Sequence, residues 1–227
     1  KNYKKLLGSG NQWGIKIEYA FQKKPRGIAD AFIVGKDFIK KDRVALILGD
    51  NIFYGSELES FSNYKFVNGA YVYLYQVHDP QRYGVAEIIN KKIVSIEEKP
   101  INPKSSSVVT GLYVYDNNVI KYAEKLKPSI RNELEITDLN NIYLNKKKLN
   151  YFKLGKGSVW LDAGTPEALL QSAEYVRTIQ ERHQIQIASP EEIAFEKKWI
   201  TKNQFINLPS FNYNNSYGKY LRSIVNK

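Results

Sequence analysis

Two hydrophobic periods alternate along this chain. In IKIEYAFQ (residues 15–22), Ile15, Ile17, Tyr19 and Phe21 fall on every second position, so the segment predicts a half-buried strand. GIADAFIVGKDFIK (27–40) sets Ile28, Ala31, Phe32 and Phe38 near helical spacing and predicts a helix. RVALILG (43–49) is a continuous apolar run, the pattern of a strand covered on both faces and common in parallel sheets. Further strands are predicted at AYVYLYQV (70–77), SVVTGLYVYD (107–116) and LNYFKLG (149–155). VAEIINKKIVSIEEKP (85–100) reads as two strands turning at Asn90, Lys91 and Lys92.

ELEITDLNNIYLNK (133–146) predicts a helix burying Leu134, Leu139, Ile142 and Tyr143. VWLDAGT (159–165) runs a strand into a helix start, with Thr165 as cap and Pro166 in the first turn, where a missing N–H costs nothing. That helix is expected to reach about Gln180 with Leu169, Ala173, Val176 and Ile179 inward. SPEE (189–192) offers a second start, a capping box of Ser189 and Glu192. The order of elements predicts an α/β fold, layered α/β/α around a central mixed sheet, with a small helical C-terminal addition. The expected division is a core over 1–183 and a helical extension over 184–227.

Composition narrows the class. With 227 residues, 43% hydrophobic and 25% charged, the chain has the material for a globular core. No apolar run approaches a membrane span and the first residues lack a signal peptide's apolar centre, so a soluble, cytoplasmic protein without a membrane partner is expected. Zero cysteines exclude disulfides and thiolate metal sites, and the two histidines, His78 and His183, lie too far apart for zinc spacing. Methionine is absent even at position 1, compatible with numbering that begins inside a longer natural chain. The net charge of +11 admits a polyanionic partner, but the lysines are spread along the chain, and clusters such as Lys146, Lys147 and Lys148 read as solvated turns. No nucleic-acid partner is expected.

Two aspartates stand at strand ends: Asp50 in LILGDNIFYG (46–55) and Asp162 in VWLDAGT. In open α/β sheets ligands gather beyond the carboxyl ends of strands, so both face a crevice. Two such carboxylates converging can hold magnesium, which completes its shell with water and phosphate. Taken singly, each is also an ordinary turn or capping residue. Glu98 and Lys99 in EEKP read as a carboxylate for hydroxyls and an ammonium for phosphate, or as a charged strand edge. Tyr83 and Gly84 in DPQRYGV offer an aromatic wall beside a closely approachable backbone, or a plain turn. Gly27 in PRGIADA stands at a helix start that would attract anions or base edges.

In order, GDNIFYG, DPQRYGV, EEKP, TGLYVYD, ELEITDLN, VWLDAGT and SPEEIAF resemble the sugar nucleotidyltransferases over essentially the whole chain. SPEEIAF and YGKYL match the thymidylyl branch. The resemblance implies a Rossmann-like nucleotidyltransferase fold and Mg2+-dependent synthesis of dTDP-glucose from dTTP and glucose 1-phosphate, for deoxysugar biosynthesis of the dTDP-rhamnose type. It implies metal ligation by Asp50 and Asp162, thymine contacts from Gln22 and Gly27, and a sugar site of Tyr83, Gly84, Glu98 and Val109. Lys99 and Arg131 would hold the sugar phosphate as the catalytic cations. A homotetramer is implied, with a regulatory nucleotide site at Gly55, Ser56, Glu57 and Lys156. The family's glycine-rich phosphate loop would lie before Lys1, so the polypeptide as written is expected to be catalytically crippled. RGIADA stands where relatives read closer to GGLAQA, and Asn132 where glycine is usual. The alternatives are UTP or CTP as the nucleotide, and a non-catalytic basic binding or regulatory domain.

Overall fold

The structure is a computed structural model that describes residues 2–55, 58, 65–66 and 68–225. The first helices are α1 (Asn2–Leu7), α2 (Asp30–Val34) and α3 (Lys36–Ile39), and the first strands β1 (Val44–Ile47), β2 (Asn51–Tyr54) and β3 (Ala70–Gln76). Next come β4 (Gly84–Ile89), β5 (Lys92–Glu98), β6 (Ser107–Tyr115), α4 (Asn118–Ala123), α5 (Ile136–Asn145), β7 (Leu149–Lys153) and β8 (Val159–Asp162). The chain ends through α6 (Pro166–His183), α7 (Pro190–Glu196), α8 (Lys202–Ile206) and α9 (Ser216–Val225). Two compact units result, one of residues 20–169 and one joining the segment before it to residues from 170 onward. The division falls inside α6, upstream of the sequence boundary at 183.

In the larger unit a six-stranded mixed sheet runs β5-β4-β6-β3-β7, with β1 also paired to β6. Among the described residues only the β3–β7 pair is parallel. All nine residues of β6 are buried, and the alternating pleat divides them between two cores. Val109, Tyr113 and Tyr115 face one side with Val72 and Leu74 of β3, covered by Phe32, Val119, Leu139 and Tyr143 from α2, α4 and α5. Val108, Leu112 and Val114 face the other side with Tyr71, Tyr73 and Trp160. Trp160 belongs to a separate antiparallel pair, β2–β8.

One edge of β6 is shared. β4 takes its start at Val108, β1 takes Leu112 to Tyr115, and the residues between are left to other partners. The β4–β5 hairpin turns through Asn90 and Lys91, both at positive φ, as the two-residue turn that matches strand twist requires. The smaller unit packs Trp13, Ala194, Ile200, Phe205, Leu208 and Leu221 into its own core.

Several elements differ from the sequence pattern. Residues 15–22 have strand periodicity but no ladder partner among the described residues, and an unpaired strand former stays irregular. The single helix expected over 27–40 is two, α2 and α3, broken at Gly35; its buried residues are Ala29, Asp30, Phe32 and Ile39, while Phe38 is exposed. β1 alternates half-buried and exposed positions, with Ile47 exposed, because it is antiparallel to β6 and open on one side. Along α6 the buried residue is Ser172, and Leu169 is exposed. Thr165 caps that helix as expected, its hydroxyl accepting from the N–H of Ala168 at 3.2 Å. Ser189 caps α7, but the Glu192 carboxylate accepts from Tyr220 at 2.6 Å, so only half the expected box forms. A complete capping box stands instead at Thr201 and Gln204.

The helical face of the sheet is tied by buried hydroxyls. Tyr115 donates to Asn140 Oδ1 at 2.6 Å and Tyr143 to Asp116 Oδ1 at 2.8 Å. Asp116 also accepts from the N–H groups of Gly69 and Asn118, so it ties the residue before β3 to the turn after β6. Tyr143→Phe leaves one buried carboxylate oxygen short of a donor and is expected to destabilise the larger unit by about 1–3 kcal/mol. Urea unfolding followed by tyrosine fluorescence measures it; an unchanged midpoint would mean the bond contributes nothing.

Candidate active site

Where β6 passes from β4 to β1, a cleft of about 200 Å³ opens. Val109, Thr110 and Gly111 form its floor, and Asp50 and Asp162 stand together on its rim. Antiparallel pairing brings them there: Asn51 is opposite Asp162, and the ladder continues with the N–H of Ala163 donating to the carbonyl of Asp50 at 2.8 Å. Each carboxylate has one oxygen engaged nearby, Asp50 Oδ1 by Asn51 Nδ2 at 2.8 Å and Asp162 Oδ1 by the N–H of Gly164 at 3.1 Å. The second oxygen of each takes no hydrogen bond among the described residues, which leaves two hard oxygen donors for a cation. Among those residues no group of three or more His, Cys, Asp or Glu gathers as a metal cage. A two-carboxylate site fits magnesium, which keeps several waters and binds substrate phosphates.

The opposite wall comes from the β4–β5 pair. Gly84 is paired with Glu98, and a side chain on Gly84 would lie 3.2 Å from Thr137 Oγ1 and 3.4 Å from Glu98 Oε2. Glu98 accepts from Thr137 at 2.5 Å and from Arg131 at 3.5 Å. Lys99 follows at φ 45°, its N–H donating to the carbonyl of Tyr83 at 3.0 Å. Lys99 lines the cleft, and its ammonium makes no salt bridge among the described residues. Tyr83 packs edge-on against Trp160 at 5.1 Å, and burial, with the negative charge of Asp162, pushes its phenol above the ordinary range.

The structure thus brings Asp50, Asp162, Tyr83, Gly84, Glu98, Lys99 and Val109 to one cleft. Gln22 and Gly27 line an adjoining hollow that shares Ile28 and Leu48 with it. Gly27 sits at φ 98° with Leu134 so close that a Cβ would lie 2.5 Å from its carbonyl oxygen. Gln22 Nε2 donates to the buried Asp30 at 2.7 Å. Arg131 does not line the cleft. Its guanidinium is held by Glu135 at 3.1 and 2.8 Å and reaches Glu98 from behind. Gly55 abuts Gly157 and Ser158, next in sequence to Lys156, and none of these lines the cleft. Ser56 and Glu57 lie outside the described residues.

Pattern reading passed over Arg82, Asn51 and Thr137. Arg82 lines the cleft, pairs with Asp79 at 3.0 Å and lies 5.4 Å over the Tyr83 ring; that hydrogen bond to Asp79 raises its pKa, with Tyr83 and Asp162 adding to it. Arg82 had a signal, its place inside DPQRYGV. Thr137 had one of the same kind, its place inside ELEITDLN, but its partner Glu98 is 39 residues away and no local spacing links the two.

The family model described as Nucleotidyl transferase matches residues 1–178. A glucose-1-phosphate thymidylyltransferase of Neisseria meningitidis is 46% identical over 229 residues, covering 100% of this chain and 80% of that protein. One from Mycolicibacterium smegmatis is 43% identical, covering 99% and 79%. A crystal structure of a Bacillus anthracis protein named as a glucose-1-phosphate thymidylyltransferase, with sucrose bound, has a TM-score of 0.69 at 46% identity over 78% of this chain and 71% of that one. UDP-glucose pyrophosphorylase with UDP-glucose, at 21% identity, TM-score 0.62 and coverage of 78% and 73%, shares the fold.

Electrostatics behind the cleft give a pH test. Burial raises the Glu135 pKa, but hydrogen bonds from Arg131 and Ser129, with the charge of Lys99, outweigh it and hold the carboxyl below the ordinary glutamate range. A depressed folded value contributes stability above the ordinary value and loses it as pH falls through the folded one. Arg131→Ala is expected to move the Glu135 titration upward in carboxyl NMR, and its stability deficit is expected to shrink as pH falls from about 5 to about 3. A deficit independent of pH would contradict the pairing. The two-aspartate cleft, the Rossmann-like layering and the match over 1–178 together make this chain a member of the nucleotidyl transferase family.

Proposed function

We propose that this chain transfers a thymidylyl group from dTTP to glucose 1-phosphate, giving dTDP-glucose and pyrophosphate. The observation that carries this reading is the meeting of Asp50 and Asp162 across the β2–β8 pair, facing Glu98 and Lys99. Relatives named for this reaction at 46% and 43% identity support the choice of nucleotide and sugar.

The reaction joins two polyanions, so its main barrier is charge and alignment. An oxygen of the sugar phosphate, already anionic, forms a bond to the α-phosphorus while the bond from that phosphorus to the bridging oxygen of pyrophosphate breaks in line. The electron pair leaves with pyrophosphate, and no side chain has to act as a strong base. Mg2+, held by Asp50 and Asp162, would supply neutralisation of the phosphate oxygens. Lys99, which makes no salt bridge among the described residues, is the cation for the sugar phosphate. Glu98, fixed by Thr137, accepts from sugar hydroxyls in a pocket walled by Tyr83, Gly84 and Val109. Arg131 aligns Glu98 from behind and joins the phosphate when the substrate draws it off Glu135. Gln22 and Gly27 in the adjoining hollow receive the thymine edge. A homotetramer with a second nucleotide site near Gly55 and Lys156, and a place in deoxysugar synthesis of the dTDP-rhamnose type, accord with this reading.

On the natural gene product, pyrophosphate release with glucose 1-phosphate is expected to be fastest with dTTP among the four common nucleoside triphosphates. Lys99→Ala is expected to weaken glucose 1-phosphate use about 100-fold with dTTP binding near wild type. An effect confined to dTTP would contradict the role of Lys99, and equal rates with UTP would contradict the thymidylyl assignment.

A further inference from the structure

Asn51, directly after Asp50, spends its side chain on three partners. Its Oδ1 accepts from the backbone N–H of Gly111 at 2.9 Å and from the indole Nε1–H of Trp160 at 2.7 Å. Its Nδ2 donates to Asp50 Oδ1 at 2.8 Å. The orientation of the amide follows from chemistry, since Gly111 and Trp160 present only donors and an ionised Asp50 presents only acceptors. Reversing it would set N–H against N–H twice and oxygen against oxygen once.

The rear anchor is specific to this fork in the sheet. Gly111 lies where β6 has passed β4 and has not yet paired through its N–H with β1, so that donor would otherwise be unsatisfied. A side chain at 111 would lie 2.3 Å from Asn51 Oδ1, so only glycine admits the amide. Trp160 is held by edge contacts to Tyr75 and Tyr83. The Asn51 amide is therefore fixed on one side by two strands and meets the Asp50 carboxylate on the other.

We propose that Asn51 is a positioning residue for a divalent cation: it fixes Asp50 by one oxygen so that the other, Oδ2, stays presented in the cleft. This rests on the reading of Asp50 and Asp162 as the cation's ligands. A turn carboxylate without such a partner samples several rotamers, and each costs the site preorganisation. A role limited to stapling β2 against β6 and β8 would lower stability without changing cation affinity.

Titration of the protein with Mn2+ alone, followed by electron paramagnetic resonance of the free ion, separates the two. Asn51→Ala is expected to raise the Mn2+ Kd about 10-fold or more. Asn51→Asp keeps the acceptor for Gly111 and Trp160 but turns oxygen against Asp50; it is expected to keep the Trp160 indole 1H–15N resonance near its wild-type position and still lose affinity by a similar factor. Should Asn51→Ala not fold, Asn51→Asp decides. Folded Asn51 variants that bind Mn2+ within twofold of wild type, while Asp50→Asn abolishes binding, would overturn the positioning role alone. An Asp50→Asn variant that binds as wild type would overturn the metal assignment and this inference with it.

Discussion

The hydrogen bond between Asn51 Oδ1 and the N–H of Gly111 is the constraint on which the site depends. A nine-residue buried strand cannot leave a backbone donor empty, and β6 changes neighbours along one edge. A side chain from β2 fills the gap, which draws the β2–β8 pair onto the sheet at that point. The register of the pair then sets Asp162 opposite Asn51 and beside Asp50. The fork in the sheet and the carboxylate pair are thus one feature: the same discontinuity that opens the cleft brings the two aspartates to it.

The cations in and behind the cleft are unequally engaged. Arg82 is held by Asp79, and Arg131 by Glu135, while Lys99 lines the cleft with no salt bridge among the described residues. A lysine at a strand end presents a compact point charge on a flexible stem, suited to following a phosphate group during transfer. Glu98, by contrast, is braced by Thr137 and Arg131, as a carboxylate must be if it is to select hydroxyl positions on a sugar. The arrangement suits the proposed joining of two polyanions, with a braced acceptor for the sugar and a mobile ammonium for the phosphates.

Much of this was legible in the sequence where the signal is local. Period and turn chemistry gave β3, the β4–β5 hairpin, β6, α5 and the Thr165 cap, because each depends on residues a few positions apart. Residues 15–22 kept the strand pattern without a ladder partner among the described residues, and the break at Gly35 was hidden by apolar spacing on both sides of it. The two aspartates were visible because a strand that ends on a carboxylate has a geometric meaning in this class of sheet. The residues that hold them were not. Asn51 finds Gly111 at a separation of 60 and Trp160 at 109, distances at which no single-chain pattern carries information. Arg131 was expected to hold the sugar phosphate with Lys99; its pairing with Glu135, four residues on, is a contact that motif position alone did not reveal.

Anomalous diffraction from crystals grown with Mn2+ and dTDP-glucose tests the account most directly. The account predicts one strong peak within about 2.0–2.3 Å of a carboxylate oxygen from each of Asp50 and Asp162, with the diphosphate on its far side. A nucleotide sugar bound in the cleft with the manganese peak touching neither carboxylate, or only one, would contradict it.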